Sequence, residues 1–452
     1  GGEESFVILR ADASQEPERL DGLDIGRPVD LAVNPKKDQI AFSNHRYELM
    51  MLDLTTRELK LIDRGVSHPI AGFDWSPDGA WLAYSVSISL QVDVLKLWRA
   101  ETAESIQITQ PVLRDVAPSF DPQGKYLYFL SYRHFDPVSN NLHFDLNFPR
   151  GMKPFLITLQ KDLPSPFIAK PKVEDKKSDK PEKKDEEKKA DDKDKSEEKE
   201  KEKEETKPIQ IDLDGITSRI VEFPVDEGLY CRVRGLKDGK VLFSWFPVEG
   251  SLGESWAKSS EPTAKGTLSI LSFEDQKEEE LVAGISDFDV ARDATMLIYR
   301  AGNRLRVMKA GDKPDPAGTG SSRKTGWLDL GRINLSINPG AEWRQMFREA
   351  WRLQRDQFWT KDMSQIDWLA VHDRYLPLVD RVASRSEFSD LMWEMQGELG
   401  TSHAYELGGD YRRSPDYSQG YLGADFEYDD TTDSWTITRI AQGDHWDGET
   451  DS

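Results

Sequence analysis

The stretch Phe73-Asp74-Trp75-Ser76-Pro77-Asp78-Gly79 decides the fold of this chain. Its proline fixes φ for a tight turn, and its Asp-Gly pair supplies a residue that tolerates positive φ. The run Trp81-Leu82-Ala83-Tyr84-Ser85 follows at once, and its mixture of aromatic and aliphatic residues is typical of a strand. The stretch therefore predicts a tight polar turn that leads into a β-strand.

Similar turns lie on both sides of this one, at residues 31–38 and 119–124, with weaker copies at 236–239 and 288–293. The distance from Asn34 to Ser76 is 42 residues, and the distance from Ser76 to Asp121 is 45. A repeat of this length with four strands in each copy is typical of a β-propeller blade. We predict five blades, with a strand of an earlier blade at residues 5–11. A β-sandwich with unrelated turns is the alternative, which the matched spacing disfavours.

A charged tract separates two of the predicted blades. Residues 171–207 contain 16 acidic residues and 14 lysines among 37 residues. Such a stretch has almost no apolar surface to bury and is typical of a solvated segment. We expect residues 169–207 to be a disordered insertion in the propeller that acts as a spacer, and the alternating charges also allow a transient helix.

Helical periodicity replaces strand alternation after residue 340. The first predicted helix carries apolar residues near one face: Trp343, Phe347, Ala350, Trp351 and Phe358. The second begins near Asp367 and carries Trp368, Val371, Tyr375 and Leu378. Pro377 is expected to kink or restart this second helix. The third begins with the capping box Ser384/Glu387, buries a stripe of Phe388, Leu391, Met392, Met395 and Leu399, and stops at Gly400. We expect these aromatic residues to form a core rather than to line a ligand site.

Composition limits the possible functions. The formal net charge is −22, and the charged tract contributes only −2 of it. This acidity disfavours binding to nucleic acid or to an anionic membrane surface. Cys231 is the only cysteine, so the sequence predicts neither an intrachain disulfide nor a cysteine-rich metal site. The sequence contains no run of about 18 apolar residues, which is the length needed to span a bilayer. These features fit the cytoplasm, with the periplasm as the alternative, since residues 1–4 do not read as a natural start.

His403 is the candidate catalytic residue by its position. It follows a capped helix and Gly400, in a loop of small residues, and loops held by rigid elements commonly carry catalytic groups. A surface histidine, or a cation at a helix C-terminus, is the alternative. Ser402 is not expected to be its nucleophile, because neighbouring side chains on extended backbone point to opposite sides. None of the seven histidines has metal-ligand spacing with another on one predicted element.

The region around His403 resembles the helical core domain of the tricorn protease family. The resemblance is carried by residues 351–359, 367–368 and 393–411, which include the motif Thr401-Ser402-His403-Ala404-Tyr405-Glu406. It implies that His403 is the catalytic base and that Ser402 supports the catalytic hydrogen-bond network. It places the nucleophilic serine and a glutamate in a second core domain, outside these residues. No cofactor is implied.

The family order gives the expected domains. Residues 1–336 would be a propeller that is incomplete at its amino end and seven-bladed in the whole protein. Residues 337–412 would be the helical core domain, and residues 413–452 the truncated beginning of a PDZ-like domain, with strands at 420–426 and 434–440. The fold class is thus multidomain and mainly β, followed by α-helical and PDZ-like parts.

The resemblance implies a serine peptidase that trims short peptides, forms a large homo-oligomer and uses the propeller to gate substrate access. This chain alone would be inactive, because it lacks the nucleophile. The alternative is a non-catalytic propeller that binds a protein or polysaccharide partner. The motif at 401–406 favours the peptidase.

Deleting residues 171–207 is expected to leave the melting temperature of the chain nearly unchanged, because nothing in this stretch can pack against a core. Thermal unfolding of the full and shortened chains, followed by circular dichroism, tests this expectation. A large drop in the melting temperature would contradict it.

Overall fold

The computed structural model describes residues 5–9, 12, 14–134, 136–140, 145–147, 150–168, 208–249, 263–315, 318–406, 409, 420 and 422–441. The predicted insertion at 169–207 lies outside the described residues. The chain divides into two compact units, Gly1–Leu335 and Ser336–Ser452.

In the described residues, the first unit is a β-propeller with five blades, as the repeated turns predict. A hairpin of β1 (Ser5–Ile8) and β2 (Glu18–Asp21) precedes them. The first blade contains β3 (Pro28–Val33), β4 (Gln39–Asn44), β5 (Glu48–Asp53) and β6 (Leu59–Arg64). The second contains β7 (Phe73–Trp75), β8 (Trp81–Ser87), β9 (Asp93–Arg99) and β10 (Glu104–Gln107).

The third blade contains β11 (Asp115–Phe120), β12 (Tyr126–Ser131), β15 (Lys153–Thr158) and β16 (Ile220–Glu222), and a hairpin of β13 (Val138–Asn140) and β14 (Asp145–Asn147) interrupts it. The fourth contains β17 (Leu229–Gly235), β18 (Lys240–Phe246), β19 (Gly266–Ser272) and β20 (Lys277–Ile285). The fifth has three strands, β21 (Asp287–Val290), β22 (Met296–Ala301) and β23 (Arg304–Lys309). All five predicted turns join the first and second strands of a blade.

The cores of the propeller lie between successive blades. Every residue of β8, β12 and β15 is buried, because a middle strand packs against a neighbouring blade on each face of its sheet. Between the third and fourth blades, for example, the side chains of Tyr128, Phe223 and Phe243 form one apolar cluster. Strict alternation of apolar and polar residues is therefore absent from these strands.

The repeated turns also tie blades to one another. Asn34, in the turn of the first blade, is buried, and its Oδ1 accepts hydrogen bonds from the backbone N–H groups of Lys36 and Lys37. Its Nδ2 donates to the carbonyl of Gly79, in the turn of the second blade, at 3.1 Å. The turn residues thus act between blades as well as within them.

The first strands of successive blades contact each other and surround the propeller axis. Arg232 of β17 binds Asp287 of β21 through two hydrogen bonds of 2.9 Å. Arg234 binds Asp289, two residues further along each strand, through one hydrogen bond. Arg292, in the turn of the fifth blade, donates a hydrogen bond to the carbonyl of Val33 at 2.8 Å. Charged side chains therefore cluster around the axis.

Among the described residues, the second unit contains three α-helices, α1 (Pro339–Gln357), α2 (Trp368–Tyr375) and α3 (Arg385–Gly397), which begin close to the predicted starts. Two residues predicted on helical faces lie outside the helices: Leu378 follows α2, and Leu399 follows α3. Asn338, Asp367 and Ser384 cap them through side-chain oxygens. A 3-10 turn containing Pro377 follows α2, as expected for a restart.

The aromatic residues of this unit form a core, as predicted. Trp351 and Trp368 stack, and each donates its indole N–H to the backbone carbonyl of the other, at 2.7 and 2.9 Å. This reciprocal pair fastens α1 to α2. Trp343 stacks on Phe388 and fastens α1 to α3.

A separate two-stranded hairpin follows the helices. It consists of β24 (Ala424–Asp429) and β25 (Ser434–Ile440). Phe426 lies opposite Ile437, and Tyr428 lies opposite Trp435, so these four exposed side chains share one face.

Gly79→Ala is expected to destabilise the propeller by about 2–3 kcal/mol. Its φ of +69° costs a side chain about 1–2 kcal/mol, and a Cβ there would collide with the amide of Asn34 and break a buried hydrogen bond. Gly22→Ala is the matched control, since its φ is +77° and nothing lies within 4 Å of its added Cβ. Chemical unfolding of both variants checks this order of stability. Equal losses would show that the contact with Asn34 is unimportant.

Candidate functional site

A cavity of about 340 Å³ lies beside the C-terminal end of α3. It is bounded on one side by the last turn of the helix and on the other by the loop that follows it. The lining residues are Trp393, Gln396, Gly397, Thr401, Ser402, His403, Ala404 and Tyr405. The structure thus brings both residues singled out from the sequence, Ser402 and His403, into one cavity.

The end of α3 creates this loop. Gly400 has a φ of +59°, a conformation that favours glycine, and its N–H donates to the carbonyl of Gly397. Leu399, two residues beyond the end of α3, remains buried in the helical core, so the chain leaves this core only after Leu399. The helix itself ends at Gly397, three residues before the predicted stop at Gly400.

His403 has an unusual backbone conformation. Its φ is +70°, in the left-handed region that residues with a Cβ seldom adopt. The Oγ of Ser402 and the Nδ1 of His403 are hydrogen-bonded at 3.1 Å. The expectation that these neighbouring side chains point apart is wrong, because the backbone is not extended here.

This hydrogen bond gives the two ring nitrogens of His403 different roles. In a serine–histidine–acid site, the nucleophile contacts Nε2 and the orienting group contacts Nδ1. Ser402 binds Nδ1, so it occupies the orienting position and leaves Nε2 for another group. Both residues are exposed.

Aromatic contacts support the loop from the side. The ring of Tyr405 packs edge-to-face against Trp393 of α3 at 6.0 Å and against the imidazole of His403 at 5.9 Å. Tyr405 thereby connects the imidazole to the helix, although its own ring is half-exposed.

Sequence reasoning assigned no role to Glu406, which ends the motif. The structure places its carboxylate against Arg385 and Ser389 in the first half of α3. No local signal in the sequence connects these residues, because the contact depends on the reversal of the chain at Gly400. Gln396 was also missed: it is buried in the wall of the cavity, and its Oε1 has no hydrogen-bond partner among the described residues.

A second cavity, of about 370 Å³, lies in the propeller between the second and third blades. Its wall contains Asp93, which is almost fully buried, with His68 Nε2 at 3.0 Å and Arg114 Nε at 3.6 Å from its carboxylate. Gly72 and Ala117 both have positive φ there, and their backbones approach closely. This cavity contains an ion pair but no residue of the 401–406 motif.

Two family models match the chain. The model described as the tricorn protease second beta propeller domain matches residues 1–311, and the model described as the tricorn protease C1 domain matches residues 339–397. The chain belongs to the tricorn protease family. The resemblance seen in the sequence is thus confirmed.

Curated relatives carry the same family name. The putative Tricorn-like protease C-terminal subunit of Sulfurisphaera tokodaii is 35% identical over 424 residues, which are 93% of this chain and 44% of that protein. Tricorn protease homolog 1 of Streptomyces coelicolor is 36% identical over 424 residues, which are 93% of this chain and 38% of that protein. The chain thus spans less than half the length of these tricorn relatives.

A solved structure shares the fold. The crystal structure of the tricorn protease superposes with a TM-score of 0.79 at 21% identity, covering 99% of this chain and 41% of the solved one. At this low sequence identity, the superposition is evidence for a shared fold and for nothing further.

The described residues show neither a metal-ligand group nor a membrane-spanning helix. No group of three or more histidine, cysteine, aspartate or glutamate side chains is arranged to hold a metal ion. Among the helices that the structure describes, none has the length and apolarity needed to cross a membrane.

Proposed function

We propose that this chain supplies the propeller and the catalytic base of a tricorn-type serine peptidase that trims short peptides. The observation that carries the proposal is the pair Ser402–His403, in which Ser402 binds Nδ1 and leaves Nε2 available. His403 acts as the general base, and Ser402 holds the imidazole in orientation.

The nucleophilic serine and a glutamate come from a second core domain. This assignment is supported by the hydrogen bond of Ser402 to the orienting side of the ring rather than to Nε2. By the same logic the 452-residue chain alone does not hydrolyse peptides, since a base without a nucleophile forms no acyl-enzyme.

The propeller, which we assign to residues 1–336, gates the access of peptides, and it has seven blades in the whole protein. Val29, Leu31 and Val33 of β3 are exposed, and they share a face with Ile40 and Phe42. The hairpin β1–β2 packs on that face and leaves the β3 side chains uncovered. An uncovered apolar strand beside the axis supports further blades next to the first.

The region 337–412 is the helical core domain, and residues 413–452 begin a PDZ-like domain. An isolated two-stranded hairpin is marginally stable in water, and one face of β24–β25 exposes Phe426, Tyr428, Trp435 and Ile437. Such a face needs further strands to cover it. The whole protein is a homo-oligomer, as the family resemblance implies, and the single cysteine of this chain fits the cytoplasm, with the periplasm as the alternative.

His403→Ala in the full-length protein is expected to lower peptide hydrolysis by at least about 10³-fold, because the nucleophile loses its base. Its melting temperature should equal that of the wild type, since the side chain is exposed. Turnover of a fluorogenic peptide measures the loss. Retained turnover would exclude His403 as the base.

The 452-residue chain is expected to form no adduct with a fluorophosphonate, whereas the full-length protein forms one for each chain. Intact mass measurement distinguishes these results. An adduct on the short chain that disappears in Ser402→Ala would make Ser402 the nucleophile and would contradict the proposed division of the active site. A full-length protein that neither labels nor cleaves would favour a binding role for the propeller.

A further inference from the structure

The carboxylate of Glu406 is held at both oxygens. Its Oε1 accepts a hydrogen bond from Nη2 of Arg385 at 2.7 Å, and its Oε2 accepts one from the hydroxyl of Ser389. The side chains of Arg385 and Glu406 are only 13% and 15% exposed, so water screens this ion pair weakly. Hydrogen bonds between charged groups are stronger than neutral ones.

The partners of Glu406 are themselves fixed. Ser389 is buried on α3, and Arg385 lies over the ring of Phe388 at 5.3 Å, with Phe388 fully buried in the helical core. The carboxylate therefore binds to a rigid surface rather than to mobile side chains.

This contact closes the loop that carries His403. The helix α3 ends at Gly397 and the chain turns at Gly400, and by Glu406 it has returned to Arg385 and Ser389, in the first half of the same helix. The distance between Arg385 and Gly397 along the helix is about 18 Å at 1.5 Å per residue. Residues 401–405 therefore run back along the helix between two fixed ends.

The left-handed backbone of His403 requires such restraint. A residue with a Cβ in this region costs about 1–3 kcal/mol and persists only where the surrounding structure holds it. Three contacts hold the loop: the turn at Gly400, the packing of Tyr405 on Trp393, and the carboxylate of Glu406. Only the last of these is ionic and largely buried.

We propose that Glu406 is a positioning residue, which holds the loop 401–405 on α3 and thereby sets the place and orientation of the His403 imidazole. The inference rests on the proposed role of His403 as the base, and it adds the residue that maintains its geometry. Glu406 does not touch the reacting atoms in this scheme and acts only through the loop.

The chain offers a matched control for Glu406. Glu398 also accepts hydrogen bonds from an arginine and a hydroxyl, namely Arg374 Nη1 at 2.6 Å and the Tyr375 OH at 2.9 Å. Those contacts join the end of α3 to α2 and do not involve residues 401–406. Replacing either glutamate by glutamine removes one ion pair. Of the two glutamates, Glu406 contacts the helix from the His403 loop, whereas Glu398 does not belong to that loop.

The first test uses the 452-residue chain and needs no activity. Histidine labelled with ¹⁵N reports the ring nitrogens through long-range ¹H–¹⁵N correlation, with His403 assigned from the spectrum of His403→Ala. Glu406→Gln is expected to shift the Nδ1 signal of His403, because the bond to Ser402 depends on the loop. Glu398→Gln should leave that signal in place. Unchanged His403 signals in Glu406→Gln would overturn the inference.

The second test uses the full-length peptidase. Glu406→Gln is expected to lower kcat by about 10–100-fold with KM changed less than about twofold, since misplacing a catalytic group by about 1 Å costs rates of this size. Ser389→Ala, which removes one of the two contacts, should give a smaller loss, and Glu398→Gln should retain wild-type kcat. Equal kcat in Glu406→Gln and Glu398→Gln would refute the role of Glu406.

The two tests separate the inference from the proposed function. A full-length wild type that cleaves no peptide would contradict the proposed function, while the nitrogen spectra would still decide whether Glu406 sets the geometry of His403. If Glu406→Gln is too unstable to measure, Ser389→Ala takes its place in both tests. A Ser389→Ala protein with wild-type His403 signals and kcat would then overturn the inference.

Discussion

Both faces of each propeller blade must be covered, and most of the structure follows from this constraint. The middle strands β8, β12 and β15 are buried along their whole length because a neighbouring blade lies on each side. The turns between first and second strands carry the polar contacts, such as that of Asn34 with Gly79, which join one blade to the next. Around the axis, where apolar packing ends, Arg–Asp pairs connect the fourth blade to the fifth.

A different constraint shapes the candidate site. The imidazole of His403 is exposed, so its restraint comes from the backbone and from neighbouring groups. The helix α3 supplies both ends of this restraint, through the turn at Gly400 and through Arg385 and Ser389. The same helix is fixed by Trp343 stacking on Phe388, so the position of His403 depends on the aromatic core of the unit.

Much of this architecture was accessible from the sequence because its signals are local. Each blade turn requires residues that adopt the φ values of a tight turn, so Pro, Asp and Gly recur at a regular spacing along the sequence. The caps Ser384 and Asp367 and the stripe on α3 follow from helix geometry. The chain belongs to the tricorn protease family, and its motif at 401–406 already pointed to His403.

The sequence by itself determined the propeller repeat and the starts of the helices, since these depend on residues close along the chain. It also singled out His403 as a candidate. Only the tertiary structure decided that Ser402 binds Nδ1 of His403, because the left-handed backbone is imposed by the loop as a whole. The contacts of Glu406 with Arg385 and Ser389, and of Arg292 with Val33, were likewise decided by folding. Such contacts leave no periodic pattern, because the residues meet only after the chain has reversed or a ring of blades has formed.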